Sequence, residues 1–251
     1  MARACVLSRF VSKVLSAAVF AAGAMAASPA SAVTILNHSF ENPVVPSGGL
    51  PAIPLITDWE RAGVEVINPA VPGVPLIEVG VFLNQPVGQL GHLSGIDGNQ
   101  AAFLASTTTH SATQWLSETF DAGAKYEMKA LFAVSFFSPS STDRLFMELL
   151  ARDGSNTVST VGALEVDVAG KGLNAASFVE LGFETTAGAG VAGQTVGVRF
   201  RAVGAQGGYW DVDNVRLTET LPPPNPGTVP EPATLGVAML ALAGVAMRRR
   251  R

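Results

Sequence analysis

Short runs in which apolar and polar positions alternate, or in which β-branched residues cluster, fill the second half of the chain. Trp115–Phe120, Tyr126–Phe137, Arg144–Ala151, Phe178–Thr186, Thr195–Val203 and Tyr209–Thr218 each carry that signature and predict six strands. Asp121-Ala-Gly-Ala124 separates the first two as a hairpin turn would, and Arg152-Asp-Gly-Ser-Asn156 supplies turn chemistry after the third. No long helical period interrupts the series. Short strands at this spacing predict an all-β domain, a two-sheet sandwich or jelly roll.

Ahead of the strands, residues 42–75 hold Pro43, Pro46, Pro51, Pro54, Pro69, Pro72 and Pro75, which exclude a central strand over most of that span. Long loops at one end of the sandwich are expected there. Loops carried on a rigid scaffold are where binding residues tend to sit, which draws attention to Trp59.

The two ends follow different patterns. Arg3, Arg9 and Lys13 precede an apolar run from Val14 to Ala27 and then Ala30-Ser31-Ala32, the layout of a secretory signal peptide read by signal peptidase, with cleavage expected after Ala32. Cys5 falls inside this 1–32 leader, so the exported domain, 33–220, has neither a disulfide nor a cysteine nucleophile. About 190 residues are nevertheless enough to bury a large core without staples. Residues 221–229 form a proline-rich spacer. Pro230, Glu231 and Pro232 then introduce an apolar run from Ala233 to Met247 that ends in Arg248–Arg251. Fifteen apolar residues span about 22 Å as a helix, against a bilayer core of about 30 Å, so a transmembrane helix here requires snorkelling arginines and local thinning. The arginines place the C-terminus in the cytoplasm and the domain outside.

Removing the ends changes the charge. The whole chain has 16 basic and 20 acidic residues. Three basic residues leave with the leader and four with the tail, while Glu231 is the one acid lost, so nine bases face nineteen acids and the domain stands at −10. Such a surface repels nucleic acid and anionic lipid, whereas acidic groups outside cells can hold calcium. The three histidines, His38, His92 and His110, have no zinc spacing, and no nucleophile elbow, phosphate loop or dinucleotide fingerprint occurs. Asp211 and Asp213 share a strand face, as a glycosidase pair could, but the pattern is unspecific and the expectation is a non-catalytic protein.

Two resemblances sharpen this. Val229-Pro-Glu-Pro-Ala-Thr-Leu235, the apolar run and the terminal arginines together resemble the PEP-CTERM sorting signal of Gram-negative bacteria, 230–251 here. That implies a precursor anchored in the inner membrane, processed by an exosortase, and then delivered to the cell surface or to an exopolysaccharide and biofilm matrix. Asn37-His-Ser-Phe-Glu-Asn-Pro43, Trp59, Asp97-Gly-Asn-Gln-Ala-Ala-Phe-Leu104, Ala122-Gly-Ala-Lys-Tyr126 and Asp211-Val-Asp-Asn-Val-Arg-Leu217 resemble the landmarks of galactose-binding-like jelly rolls, the fold of many carbohydrate-binding modules. Phe40, Phe103, Leu104, Tyr126, Val215 and Leu217 are then expected in the core. The resemblance implies polysaccharide binding through Trp59, Trp115 or Trp210, with a purely structural matrix role as the alternative and a glycoside-acting enzyme as a more distant one. It also implies a structural Ca2+ held by Glu41 and Asp213, which otherwise are solvated strand-end acids.

Overall fold

The computed structural model describes residues 30–47, 52–63, 78–135, 139–205 and 207–223. The leader up to residue 29 and the sorting tail with Pro230, Glu231 and Pro232 lie outside these residues. Among the described residues no helix is long and apolar enough to cross a membrane.

Among the described residues twelve strands build two antiparallel sheets: β1 (Ala30–Val33), β2 (Ala52–Ile53), β3 (Glu60–Ala62), β4 (Val79–Leu83), β5 (Gln100–Ala105), β6 (Thr109–Thr119), β7 (Lys125–Val134), β8 (Arg144–Arg152), β9 (Val158–Val166), β10 (Val179–Thr186), β11 (Thr195–Val203) and β12 (Tyr209–Thr220). Sheet A runs β10-β7-β12-β5-β4-β2, with β1 pairing the far half of β12, and sheet B runs β3-β6-β11-β8-β9. The all-β jelly-roll sandwich expected from the sequence is the fold observed. β1 begins at Ala30 and pairs with β12 through Ala30↔Thr220 to Val33↔Leu217. Cleavage after Ala32 would leave only Val33 of that ladder.

Period-two alternation decides which side chains enter the core. In β7, Tyr126, Met128, Ala130 and Phe132 point inward while Lys125, Glu127 and Lys129 point out. In sheet B, Ala112, Leu116, Met147, Leu149, Val198 and Phe200 meet them. Phe103 is buried as expected, but on the other face: Ala102 and Leu104 occupy the inward positions of β5, so Phe103 faces the opposite way and packs with Phe82 and Tyr209. The Asp121–Ala124 turn also differs from expectation. It carries the chain from β6 in sheet B to β7 in sheet A and so joins the two sheets rather than forming a hairpin. The turn after β8 does close a hairpin onto β9, with Asp153 Oδ1 accepting from the Ser155 and Thr157 amides at 2.9 and 2.8 Å.

Where the chain between residues 36 and 58 lies outside the β2 ladder, two buried glutamines satisfy part of its backbone. Gln114 accepts from Leu36 N and donates to Leu36 O and Asp58 O, at 2.9, 2.9 and 3.1 Å. Gln100 donates to Phe40 O and Pro43 O, each at 3.0 Å. At the other flank the edge strands β9 and β10 meet across the sandwich. Thr185 Oγ1 donates to Val161 O at 3.1 Å, and a Cβ on Gly162 would lie 2.8 Å from the side chains of Phe183 and Thr185.

Gly80, in β4, lets β2 and the Phe103 ring close onto the same point: a Cβ there would stand 2.1 Å from Ile53 O and 3.1 Å from Phe103 Cζ. Gly80→Ala should therefore destabilise the domain by about 1–3 kcal/mol, the usual cost of overpacking, because a backbone carbonyl must give way. A thermal melt of the variant that matches the parent would show that β2 yields freely.

Candidate functional site

The outer face of sheet A concentrates the chemistry. β12 reads Tyr209-Trp210-Asp211-Val212-Asp213; Trp210 and Val212 enter the core, so Tyr209, Asp211 and Asp213 share the outer face. Across the ladder Tyr209 pairs with Ala105 and Asp211 with Phe103, while Phe103 pairs with Gly80. The Phe103 ring stands edge-on to Phe82 at 6.4 Å and to Tyr209 at 5.6 Å between centroids. Phe82 and Tyr209 are half-buried and Phe103 is buried, so the three rings form a shelf that meets solvent only at Phe82 and Tyr209.

Asp211 lies among these rings. It is 2% exposed, its Oδ2 is buried without a hydrogen-bond partner, and burial raises its pKa well above the ordinary carboxyl value. A lone carboxyl in apolar surroundings is stable only as the neutral acid, which is the form that can give a proton away.

One row along, Asp213 is fully buried beneath the β4–β5 connection, whose Asp97 N donates to its Oδ2 at 2.6 Å; Asn214 N donates to Oδ1 at 2.7 Å. Burial, with smaller pushes from the charges of Asp97 and Glu41, outweighs these hydrogen bonds and raises its pKa to about 7. Glu41 is held nearby, its Oε1 accepting from Asn99 N and Gln100 N at 2.7 and 2.8 Å. The two expected calcium ligands are thus brought to one place, between the first loop and the last strand. The donor chemistry suits a hard cation, although among the described residues no group of three His, Cys, Asp or Glu side chains gathers as a metal centre.

At the other end of the shelf Glu78 is 4% exposed. Its Oε2 accepts from Thr107 Oγ1 at 2.8 Å and lies 3.5 Å from His110 Nε2, while its Oε1 is buried without a partner. Burial lowers the His110 pKa, and the Glu78 charge opposes this only in part, so the imidazole is neutral at pH 7.

The tryptophans do not share a groove. Trp59 is core, stacked between Phe40 and Phe200 at 5.4 and 5.9 Å with Nε1 donating to Leu36 O. Trp210 is core as well, wholly buried. Neither can stack on a sugar, because inward positions of a loop root and a central strand fill the sandwich. Trp115 alone lies on an outer face, that of sheet B. Its ring covers Gly197, where a Cβ would stand 2.5 Å from the ring, and the Arg152 guanidinium lies 4.2 Å from the centroid. Nearby Glu148 is clamped by Arg199 and Arg201; its burial favours the neutral form, but their hydrogen bonds prevail and lower its pKa.

Sequence reasoning missed Glu78, Phe82 and Tyr209. The alternation in 209–213 carried the signal for Tyr209, since Trp and Val at even positions leave Tyr and two acids together. Nothing in the sequence around Glu78 marks it.

The family model described as HpiC1-like, HpiC1 cyclase, matches residues 31–218. The PEP-CTERM protein-sorting motif matches residues 228–251, which marks the chain for exosortase-dependent export to the cell surface. No curated protein matches the sequence. Among solved structures, the Stig cyclase Fisc from Fischerella sp. TAU, in complex with (3Z)-3-(1-methyl-2-pyrrolidinylidene)-3H-indole, is 21% identical, with a TM-score of 0.55 over 76% of this chain and 98% of that one. A cyclase from Fischerella sp. TAU in complex with 4-(1H-indol-3-yl)butan-2-one is 20% identical, with a TM-score of 0.56 over 75% and 97%. A xylan-binding domain of Paenibacillus barcinonensis Xyn10C is 14% identical, with a TM-score of 0.45 over 78% and 99%. At these identities the two cyclase structures bear on the fold.

Ionised Asp213 is disfavoured in the folded state, so between its ordinary value of about 4 and about 7 the native domain binds more protons than the unfolded chain. Without added divalent cations, stability should therefore be fully present below pH 4 as far as this group is concerned, and should fall as pH rises to 7. Asp213→Asn should flatten that fall, which melting temperatures across the range would read. An equal slope in both proteins would show that Asp213 is not the titrating group.

Proposed function

Because this chain belongs to the HpiC1-like family, we propose that its exported sandwich takes an aromatic small molecule on the Phe82, Phe103 and Tyr209 shelf and protonates it from Asp211. The observation that carries this reading is the buried, unpartnered Oδ2 of Asp211 next to the shelf. A neutral acid in an apolar, water-poor place is poised to deliver a proton to a double bond or carbonyl, and positioned proton transfer contributes about 10²–10⁴-fold to rate. The two indole ligands held by the Fischerella structures set the scale of molecule to try.

Full-length protein in D2O with 4-(1H-indol-3-yl)butan-2-one provides the test. Deuterium should enter carbon positions of the probe faster than in buffer, and Asp211→Asn should slow this about 10²-fold or more by removing the transferable proton. Equal rates for the two proteins, read by NMR, would end the proton-donor reading.

A structural calcium at Glu41 and Asp213 belongs to the same proposal. An ion there keeps both carboxylates charged, so added calcium should remove the Asp213 share of the loss of melting temperature between pH 4 and 7.

A second reading keeps the expectation of a non-catalytic surface protein that retains polysaccharide or serves as a structural matrix unit. It is favoured by the placement of Trp115, flat over Gly197 on the outer face of sheet B. Trp115→Ala should then weaken retention of the producer's exopolysaccharide by about 1–3 kcal/mol, by analogy with stacking on other ring ligands. A folded variant retained as well as the parent would leave only the structural role.

A further inference from the structure

Glu78 has a position and an environment that the core does not explain. Ala105 N donates to its carbonyl at 2.7 Å, which extends the β4–β5 ladder one residue before Val79. Val79 faces the core, so the Glu78 backbone starts in the outer-face row of Ala105 and Tyr209, while its carboxyl turns to the rim of the sandwich, where it meets Thr107 of the β5–β6 turn and His110 of sheet B. From the spacing of strands and residues, Glu78 stands about 10 Å across and about 7 Å along the sheet from Asp211, with Phe103 and Tyr209 between them. The carboxylate charge also reaches Tyr209, whose hydroxyl pKa is raised by burial and by Glu78.

The chain provides little to neutralise this group. His110, 3.5 Å away, is neutral. Its Nε2 is also shared with Thr107 Oγ1 and Thr108 Oγ1, at 3.2 and 3.0 Å. Arg61 directs Nη1 to the carbonyl of Val79 at 2.9 Å and forms no ion pair with Glu78. Among the described residues no lysine or arginine pairs with it. A buried carboxylate oxygen with neither a cation nor a donor is costly, and a ligand cation removes that cost.

Resting on the reading of the shelf as a ligand site, we propose that Glu78 selects ligands bearing a protonated nitrogen, an ammonium, amidinium or iminium group, by accepting its N–H at Oε1 while the aromatic body lies on Phe82, Phe103 and Tyr209. Thr107 and His110 are positioning residues that hold Oε2. The two ends of the shelf then divide the work: an anion reads the basic end of the ligand and a neutral acid meets the end that accepts a proton.

The experiment compares two probes by calorimetry on full-length protein at pH 7. The pyrrolidinylidene indole is a vinylogous amidine that carries a proton on nitrogen, whereas the indolyl butanone is neutral. The parent protein should bind the amidine at least tenfold more tightly. Glu78→Gln should erase that preference, and Glu78→Asp, which keeps the charge, should retain part of it. Ketone binding with no preference for the amidine overturns the proposal on the parent protein alone, whether or not the variants fold, and leaves the shelf intact. A preference that survives in Glu78→Gln, with a melting curve showing a folded protein, also overturns it. If neither probe binds, the shelf reading fails and the proposal fails with it.

Discussion

One extra residue in β12 sets the arrangement of everything around it. β12 pairs with β7 through Asp213↔Leu131 and resumes at Arg216↔Lys129, so three steps on one strand answer two on the other. The bulge, with Asn214 in the left-handed region at φ 44°, reverses which parity faces inward. Trp210 and Val212 enter the core before it, and Val215 and Leu217 after it. The same residue lets β12 leave β5 and take up β1 as its neighbour. Without it, half of the strand would turn its apolar side chains to solvent.

That constraint explains why acids are buried at all. A central strand has neighbours on both sides, and here the β4–β5 connection also folds over its outer face through the Asp97 to Asp213 hydrogen bond. Carboxyls on such a strand are removed from water by the fold and not by their own preference. Peripheral strands of the same sheet behave differently: Glu184 and Glu180 on β10 stay in solvent, paired with Lys125 and Arg216. Such exposed pairs add little stability, whereas the buried acids shift in pKa and acquire chemistry.

The sequence made the fold legible where one face of a strand is wet. β10 and most of β7 alternate cleanly, and the limits of β7, β8, β10, β11 and β12 fall within a few residues of the periodic runs. β9 was not anticipated because Ser159, Thr160 and Gly162 dilute its apolar signal at a sheet edge. Phe103 is buried as its size suggests, but its parity assigns it to the face opposite the main core. Burial of tryptophan is equally unreadable from type alone: Trp59, Trp115 and Trp210 are alike in sequence, and only their registers separate two core residues from one surface residue. Glu78 was hidden for a further reason. Its partners, Thr107 in the β5–β6 turn and His110 at the start of β6, lie some thirty residues away, and only the closing of the two sheets brings them together.

The seam where β9 and β10 meet has a consequence for life on a crowded cell surface. Exposed sheet edges invite strands from neighbouring copies, and proteins kept at high local density must guard against this. Here the two edges lean on each other, with Gly162 giving Phe183 and Thr185 room to cross and Thr185 occupying the carbonyl of Val161. A neighbouring copy that approached this flank would have to displace Thr185 before it could extend either sheet, so copies gathered side by side are hindered from fusing into fibres along it.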